Sequence, residues 1–325
     1  MFVIPFSEIG VSINRKEIIK MSTIKTILVT GSSGFIGSDF VKQYGSKYQI
    51  IGLDIVEPHD KTQCYAQYIG DIRNQELLNM IFKTHKIDAV IHTAAEKSLI
   101  NCETDQSRAY EINYEATLYL AALAEAHKAH FIFISSDQVF HGDSANSTED
   151  SRVDPINYYG RLKTMVEAKL IGKTNVSICR TALVFGDIPK EQMAYFDTIK
   201  SSETLAVQGF IVQQTKYCLE NRLKIILPSD EFVSPTHVRL LSEQLDSVLC
   251  NRVFGILHCC GGDRISRYEM GLAIAEHYGL SSDTICAKGI ENPLRPKDVS
   301  LSYEKTERLL KMKFPDFRSM LNKYM

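Results

Sequence analysis

Residues 27–37 read ILVTGSSGFIG, and this stretch decides the fold. Apolar and β-branched residues come first, as in a buried strand, and three glycines follow at the spacing G-x-x-G-x-x-G. Gly31 permits a tight turn, Gly34 lets the backbone approach a diphosphate, and Gly37 lets the following helix pack on the strand. Free amides at the start of that helix favour a bound phosphate. The cofactor-binding residues predicted from this loop are Gly31, Ser33, Gly34, Phe35, Ile36 and Gly37.

Around this stretch, apolar strand runs alternate with amphipathic helices. The predicted strands cover residues 26–30, 49–53, 89–93, 130–135 and 176–180, with a further short strand before Gly70. The predicted helices cover residues 35–44, 74–83, 108–127 and 158–171. This alternation predicts an α/β fold, a Rossmann-type doubly wound parallel sheet covered on both faces. Ligands of such sheets bind at the carboxyl ends of the strands.

The pattern becomes less regular after Gly186. We predict helices at 193–201, 236–249, 268–278 and 302–310, a strand at 255–259, and a structured segment at 218–227 before Pro228. These elements indicate a smaller, discontinuous C-terminal lobe that binds substrate. The predicted division is an N-terminal extension at 1–22, a dinucleotide-binding domain at 23–186 to which 235–260 returns, and a substrate-binding lobe at 187–234 and 261–325.

The second strand ends in an acidic residue. Asp54 lies twenty residues past Gly34, where a carboxylate accepts hydrogen bonds from the diol of an adenosine ribose. The same charge repels a 2′-phosphate, and no Arg lies within several residues to favour one. The sequence therefore favours NAD(H) as cofactor, while NADP(H) stays open.

Five further residues, at three places in the chain, are predicted to lie along the cofactor. Asp71 and Ile72 follow the short third strand and are expected near the adenine ring. Ala94 and Ala95 follow the next strand, where small side chains leave room for the cofactor. Asn113, inside a predicted helix, is expected to organise a water or to hold the helix against the active-site strand, and an exposed asparagine is the alternative.

The reacting groups are predicted in mid-chain. Tyr159 and Lys163 are four residues apart and share one helix face, and Ser136 ends a strand 23 residues before Tyr159. An ammonium group beside a tyrosine, together with a nicotinamide ring, lowers the pKa of the phenol and prepares it for proton transfer. Lys163 is also expected to bind the nicotinamide ribose, and Ser136 to donate a hydrogen bond to the substrate oxygen.

The composition narrows the class of protein. The chain has 325 residues, 44% hydrophobic content and a net charge of −2, so no basic surface for nucleic acid is indicated. Its eight cysteines form no C-x-x-C pair, which favours reduced thiols in a cytoplasmic protein over a zinc site. No apolar run approaches the ~20 residues of a membrane span. His92 and His258 are predicted to be core residues, whereas His141 is a candidate for substrate contact.

At these residues the chain resembles the extended short-chain dehydrogenase/reductase superfamily over about residues 24–320. The closer likeness is to the dTDP-4-dehydrorhamnose reductase family, whose strand end reads Ser-Thr-Asp-Tyr-Val-Phe-Asp-Gly. Residues 135–142 of this chain read SSDQVFHG. The other matching motifs are Tyr159 to Lys163, Arg180-Thr181, Ser234-Pro235-Thr236 and Arg295-Pro296.

The resemblance implies roles for these residues. It implies a catalytic triad of Ser136, Tyr159 and Lys163. It also implies cofactor binding by Tyr159, Lys163 and Arg180. The substrate-binding residues it implies are Asp137, Val139, His141 and Arg295. Gln138 and His141 depart from the family pattern in the loop that faces the substrate.

The implied activity is NAD(P)H-dependent reduction of a nucleotide-linked keto-sugar, as in dTDP-rhamnose biosynthesis, with no metal. Related 4,6-dehydratases carry a carboxyl group at the position of Gln138, which argues against dehydration. Two alternatives remain: a nucleotide-sugar 4-epimerase, and a non-catalytic NAD(P)-binding subunit resembling the regulatory subunit of methionine adenosyltransferase. The expected partner is a small-molecule substrate, and a homodimer stays open.

Overall fold

The computed structural model describes residues 24–58, 64–187 and 210–325. Its strands are β1 (Thr26–Thr30), β2 (Gln49–Asp54), β3 (Ala66–Ile69), β4 (Ala89–His92), β5 (His130–Ser136), β6 (Val176–Thr181), β7 (Val184–Phe185), β8 (Ile225–Pro228), β9 (Phe232–Val233), β10 (Thr236–His237), β11 (Gly255–His258), β12 (Ile265–Ser266) and β13 (Ile285–Lys288). Seven of them form one parallel sheet in the order β11-β6-β5-β4-β1-β2-β3. The predicted fold class, with a doubly wound parallel sheet, is confirmed.

Helices connect these strands on both faces of the sheet. They are α1 (Phe35–Tyr44), α2 (Gln75–Thr84), α3 (Leu99–Thr104), α4 (Gln106–Tyr110), α5 (Ala116–Ala126), α6 (Tyr158–Leu170), α7 (Ile211–Glu220), α8 (Val238–Asn251), α9 (Arg267–Tyr278), α10 (Glu304–Leu310) and α11 (Phe317–Tyr324). A π turn, Glu111–Glu115, joins α4 to α5, and a 3₁₀ turn, Asp137–Val139, follows β5.

Each face of the sheet has its own apolar core. On one face, α2, α5 and α6 cover the strands with side chains such as Leu78, Leu120 and Val166, all fully buried. On the other face, α1 and α8 pack Phe40 and Leu245 against the same strands. Because burying one such side chain contributes about 1.5–3 kcal/mol, these two layers hold the strand ends in place.

A second group of elements packs at the carboxyl edge of the sheet. It contains three short strand pairs: β7 with β10, β9 with β12, and β8 with β13. Its apolar cluster includes Phe185, Met270 and Phe317. Between these elements the chain returns to the main sheet, where β11 pairs with β6. The proposed division into two lobes stays a prediction.

Most predicted strands agree with the structure to within one residue, because each is a run of buried apolar side chains. The helix predicted at 108–127 is wrong in one respect, since it is interrupted by the π turn Glu111–Glu115. Residues 236 and 237 form β10 rather than the start of a helix, and 218–227 spans the end of α7 and most of β8. Helix α11 was not predicted.

The predicted extension at 1–22 and the predicted helix at 193–201 lie outside the described residues. In the three ranges that the structure covers, no helix has both the length and the apolar character needed to cross a membrane.

Candidate active site

The glycine loop follows β1 at the carboxyl edge of the sheet. Gly31 has a φ of +73°, and a Cβ placed on it would lie 2.6 Å from Thr93 Oγ1. A Cβ on Gly37 would lie 2.1 Å from the carbonyl oxygen of Gly31. Both positions therefore require glycine: a side chain on Gly31 would collide with the chain after β4, and one on Gly37 would push α1 away from the end of β1.

The start of α1 is open to an anion. Gly34 is the N-cap of this helix, so no side chain caps the first amides, and no acidic residue lies in the first turn. The amide groups and the positive end of the helix dipole are thus available to a phosphate. Phe35 and Ile36 begin the helix and are half-buried, and Ala94 lies against Gly31 from the neighbouring strand end.

Asp54 braces this loop from the end of β2. Its carboxylate accepts hydrogen bonds from the backbone N–H of Ser33 at 2.9 Å and of Val56 at 3.2 Å. The Ser33 hydroxyl donates to the Val56 carbonyl at 3.0 Å. A carboxylate accepts more than two hydrogen bonds, so Asp54 keeps capacity for a ribose diol beside the loop.

Asp71 and Ile72 lie just after the end of β3. Asp71 forms an ion pair with Arg73, Oδ2 to Nη2 at 2.8 Å, and this hydrogen bond lowers the pKa of Asp71. Ile72 is buried in the core under α2 and is 6% exposed. The Ile72 side chain is held by the sheet's core, so the predicted position near the adenine ring concerns its backbone and stays a prediction.

The three predicted catalytic residues lie together. Ser136 ends β5, and its hydroxyl donates to Asp137 Oδ1 at 2.8 Å. Tyr159 lies in the first turn of α6, with its phenol near the Ser136 hydroxyl. Lys163, one turn later, is buried, with its Nζ 5.6 Å from the centre of the Tyr159 ring. That ammonium donates to the carbonyl of Ile134 at 2.7 Å.

A glycine also sets the position of α6. A Cβ on Gly160 would lie 2.1 Å from the carbonyl oxygen of Gln138, so only glycine lets the helix rest on the turn after β5. Asn157 caps the helix by accepting from the N–H of Gly160 at 2.8 Å. The Tyr159-Gly160 pair thus brings the phenol to Ser136.

Burial sets the protonation of this group. It raises the pKa of Tyr159, the negative charge of Asp137 raises it further, and the hydrogen bond with Ser136 opposes the shift. Burial lowers the pKa of Lys163 to about 8, against the attraction of Glu167. The phenol is therefore protonated at neutral pH. This differs from the expectation that Lys163 lowers the pKa of Tyr159, because in the free protein desolvation is the larger effect.

Asn113 holds a loop rather than a cofactor. It is 2% exposed and lies in the π turn. Its amide nitrogen donates to the carbonyl of Glu96 at 2.8 Å, and its amide oxygen accepts from the N–H of Glu96 at the same distance. The prediction of direct cofactor binding is corrected, since both ends of the amide fix the loop after Ala94 and Ala95.

The Arg180 side chain is paired with a buried carboxylate. Its guanidinium forms two hydrogen bonds to Glu167, Nε to Oε1 at 3.0 Å and Nη2 to Oε2 at 2.7 Å, and both side chains are 2% exposed. It also lies 5.0 Å from the ring centre of Phe140. The prediction that this side chain binds the cofactor is corrected, because Glu167 on α6 neutralises it inside the core.

A polar cleft opens beside Ser136. It is lined by Leu99, Asp137, Gln138, Leu183, Glu231, Val233, Arg267 and Arg295. Burial raises the pKa of Asp137 to about 6. Arg295 Nη1 donates to Glu231 Oε1 at 3.1 Å. Asp137 and Arg295, the substrate-binding residues that the resemblance implies, thus line this cleft, and their role stays a prediction.

One other substrate prediction is corrected. Val139 is fully buried in the core behind the cleft, since the 3₁₀ turn points it inward. His141 is exposed and lies 3.7 Å from Asp143, and its contact with substrate stays a prediction. The sequence did not reveal Glu231 and Arg267, because neither belongs to a motif. The only signal is that each stands next to a short apolar strand.

The structure also describes the two predicted core histidines and the cysteines. His92 is buried between Thr30 and Thr117, with ring nitrogens 2.7 and 2.8 Å from their hydroxyls. His258 is buried, and its Nδ1 lies 2.8 Å from the carbonyl of Ser302. Both predictions of core histidines are confirmed. All eight cysteines are free thiols, and within the described ranges no three His, Cys, Asp or Glu side chains are grouped as metal ligands.

The family model of the RmlD substrate binding domain matches residues 25–325 of this chain. The chain belongs to this family. The match confirms the resemblance to extended short-chain dehydrogenase/reductase proteins that bind sugar nucleotides.

Curated relatives of this RmlD-family chain include proteins with different names. Methionine adenosyltransferase 2 subunit beta of Rattus norvegicus is 25% identical over 299 residues, which cover 88% of this chain and 82% of the relative. The dTDP-4-dehydrorhamnose reductase of Aggregatibacter actinomycetemcomitans is 25% identical over 276 residues, covering 82% and 81%.

Solved structures share the fold over nearly the whole chain. A hypothetical dTDP-4-dehydrorhamnose reductase from Sulfolobus tokodaii is 25% identical, with a TM-score of 0.76 over 93% of this chain and 99% of that one. A dTDP-4-dehydrorhamnose reductase from Bacillus anthracis, in complex with NADP, is 22% identical, with a TM-score of 0.75 over 92% and 98%.

Proposed function

We propose that this RmlD-family chain is a nicotinamide-dependent reductase of a nucleotide-linked keto-sugar. The observation that carries the proposal is the grouping of Ser136, Tyr159 and buried Lys163 next to the polar cleft, at the same carboxyl edge of the sheet as the glycine loop. A loop for a dinucleotide and a proton donor next to a substrate cleft are the two parts that carbonyl reduction needs.

The glycine loop fits a dinucleotide. The cradle formed by Gly31 and Gly37, which a Cβ would fill, and the uncapped start of α1 would hold the diphosphate. The carboxylate of Asp54 would hold the adenosine ribose and repel a 2′-phosphate, which favours NADH over NADPH. When bound, the cofactor supplies a hydride to the keto carbon.

The protein's own residues handle the proton. Because burial and the charge of Asp137 keep the pKa of Tyr159 high, the phenol holds a proton that it can give to the new alkoxide. Ser136 donates its one proton to Asp137 in the free protein, and on binding it would turn that proton to the same substrate oxygen. Lys163 has one of its three N–H groups on Ile134, and the others are left for a ribose and for the developing phenolate.

The test is the rate of NADH oxidation with a panel of nucleotide-linked 4-keto-sugars. Replacing Tyr159→Phe should lower kcat by about 10²–10⁴-fold, the usual contribution of a general acid, with little change in NADH affinity. The matched control is Tyr158→Phe, since that side chain points about 100° around the helix and should leave turnover nearly unchanged. Equal rates for wild type and Tyr159→Phe would overturn the assignment.

The similarity to methionine adenosyltransferase 2 subunit beta favours a second candidate, a non-catalytic subunit that binds NAD(P). This candidate predicts NADH binding without oxidation on every sugar of the panel, and co-purification with a methionine adenosyltransferase catalytic chain. A nucleotide-sugar 4-epimerase would instead retain tightly bound NAD⁺ after purification. The same preparation therefore separates all three functions.

A further inference from the structure

The cleft contains a buried pair of opposite charges that the reaction does not use. Glu231 immediately precedes β9 and is 5% exposed, and Arg267 begins α9 and is 3% exposed. Arg267 Nε lies 2.8 Å from Glu231 Oε1. Arg295 Nη1 donates to the same oxygen at 3.1 Å. Two arginines thus share one carboxylate oxygen at the wall of the cleft.

Several atoms of this pair have no hydrogen-bond partner in the described part of the chain. Glu231 Oε2 accepts no hydrogen bond, and Arg267 Nη1 donates none. Arg267 Nε is close to Glu231, but its N–H does not point at the oxygen. Unmet donors and acceptors on buried charged groups are costly, so a ligand that meets them gains a corresponding advantage.

The backbone holds both side chains in place. The N–H of Arg267 donates to the carbonyl of Glu231 at 3.3 Å, within the antiparallel pairing of β9 and β12. Ser266 and Glu269 form a reciprocal capping box at the start of α9. Because the strand pairing and the cap fix the helix start, the two side chains are held at the wall of the cleft, with their unmet atoms just beneath its surface.

The balance of charge indicates the kind of ligand. The cleft is lined by two arginines, Arg267 and Arg295, and by two carboxyl groups, Glu231 and Asp137. A phosphate or carboxylate would meet both acidic groups at once. A hydroxyl group both donates and accepts, so two neighbouring hydroxyls can satisfy Arg267 Nη1 and Glu231 Oε2 together.

We propose that Glu231 and Arg267 bind neighbouring hydroxyl groups of the sugar ring and so determine which sugar the enzyme accepts. This inference rests on the proposed function, because it assumes a sugar nucleotide in the cleft. Glu231 and Arg267 line the cleft together with Asp137, the residue after Ser136. The pair therefore lies at the sugar end of the substrate rather than at the glycine loop.

The experiment measures binding rather than turnover. Affinities of dTDP, UDP, dTDP-rhamnose and UDP-glucose are determined by calorimetry on the full chain saturated with NADH. We expect wild type to bind a sugar nucleotide more tightly than the matching nucleotide. Replacing Arg267→Met should weaken the sugar nucleotide roughly 10- to 100-fold, as for lost hydrogen bonds to a charged group, and leave the free nucleotide unchanged.

Control variants exclude a purely structural role. Arg264→Met removes a nearby arginine that pairs with Asp298 and stacks 3.6 Å from the Phe232 ring centre, so its binding should match wild type. Arg267→Lys should recover part of the lost affinity, and Glu231→Gln should lower affinity for the sugar nucleotide selectively. A structural role would lower the melting temperature of Arg267→Met without a selective effect on the sugar.

The proposal is overturned if Arg267→Met weakens nucleotide and sugar nucleotide equally, if it weakens neither, or if wild type gains nothing from the sugar. It is also overturned if inorganic phosphate competes with the sugar nucleotide in wild type but not in Arg267→Met, which would make the pair an anion site. Failure of the proposed function is a separate result: sugar-selective binding would persist without NADH oxidation.

Discussion

The buried ion pair between Arg180 and Glu167 should make the largest single electrostatic contribution to stability. Both side chains are 2% exposed, and two hydrogen bonds of 3.0 and 2.7 Å join them. Replacing Arg180→Met keeps an unbranched apolar side chain but leaves the Glu167 carboxylate with Ser135, whose hydroxyl donates at 2.6 Å. Removing one partner of a buried pair costs about 3–5 kcal/mol, because the remaining charge stays desolvated.

Urea denaturation followed by circular dichroism measures this loss as a change in the free energy of unfolding. The matched control is Lys173→Met, which breaks an equally short but exposed pair with Glu125 at 2.6 Å. Exposed pairs contribute about 0–1 kcal/mol, so this variant should be nearly as stable as wild type. The double variant Arg180→Met/Glu167→Gln should recover much of the loss, since it removes the unpaired charge.

The same variants test the position of Arg180 relative to the cofactor. The folded Arg180→Met protein should bind NADH with wild-type affinity, because its guanidinium is turned into the core. A loss of stability below about 1 kcal/mol, or no recovery in the double variant, would refute the reasoning from burial. A large drop in NADH affinity at unchanged stability would restore Arg180 as a cofactor ligand.

Two other predictions concern the cofactor and pH. Asp54→Ala should weaken NADH by about 1.5–3 kcal/mol and NADPH by less, and equal losses in calorimetric titration would contradict this. Burial lowers the pKa of several histidines, to about 3 for His92 and about 4 for the others, which are His130, His237 and His258. Burial also raises the pKa of Asp137 and Asp263 to about 6, so these two carboxyl groups take up protons in the folded chain. They offset only part of the effect, because two carboxyl groups oppose four histidines. The unfolded chain therefore binds more protons, so the free energy of unfolding should fall between pH 6.5 and 4, by about 1.4 kcal/mol per pH unit for each extra proton. The melting temperature should fall with it, and a constant value from pH 7 to 5 would contradict the prediction.

The sheet could be predicted because its signals are local. Strands such as Thr26–Thr30 are continuous apolar runs between turn residues, and the glycines of the first loop have one geometric explanation. The grouping of the proposed catalytic residues was predictable for the same reason, since Tyr159 and Lys163 lie on one helix and Ser136 ends a strand. Strand order then brings them together at one edge.

The residues that the sequence misplaced depend on contacts from distant parts of the chain. Arg180 looks available at a strand end until Glu167 of α6 is placed against it. Val139 follows Ser136 closely, but the 3₁₀ turn directs it into the core. Glu231 and Arg267 meet through a two-residue strand pairing, which leaves no periodic pattern in the sequence. Such pairings arise from tertiary packing rather than from local preference.

The π turn at Glu111–Glu115 ties the shape of the site to a local irregularity of the helix. A π turn contains one residue more than an α turn, so deleting a single residue there would restore a regular helix and gain backbone regularity. It would also rotate Asn113 away from Glu96 by about 100° and release the loop after Ala94. Because Asn113 is 2% exposed, losing both hydrogen bonds would cost more stability than the regular backbone gains, so the contact with Glu96 is what maintains the irregular turn.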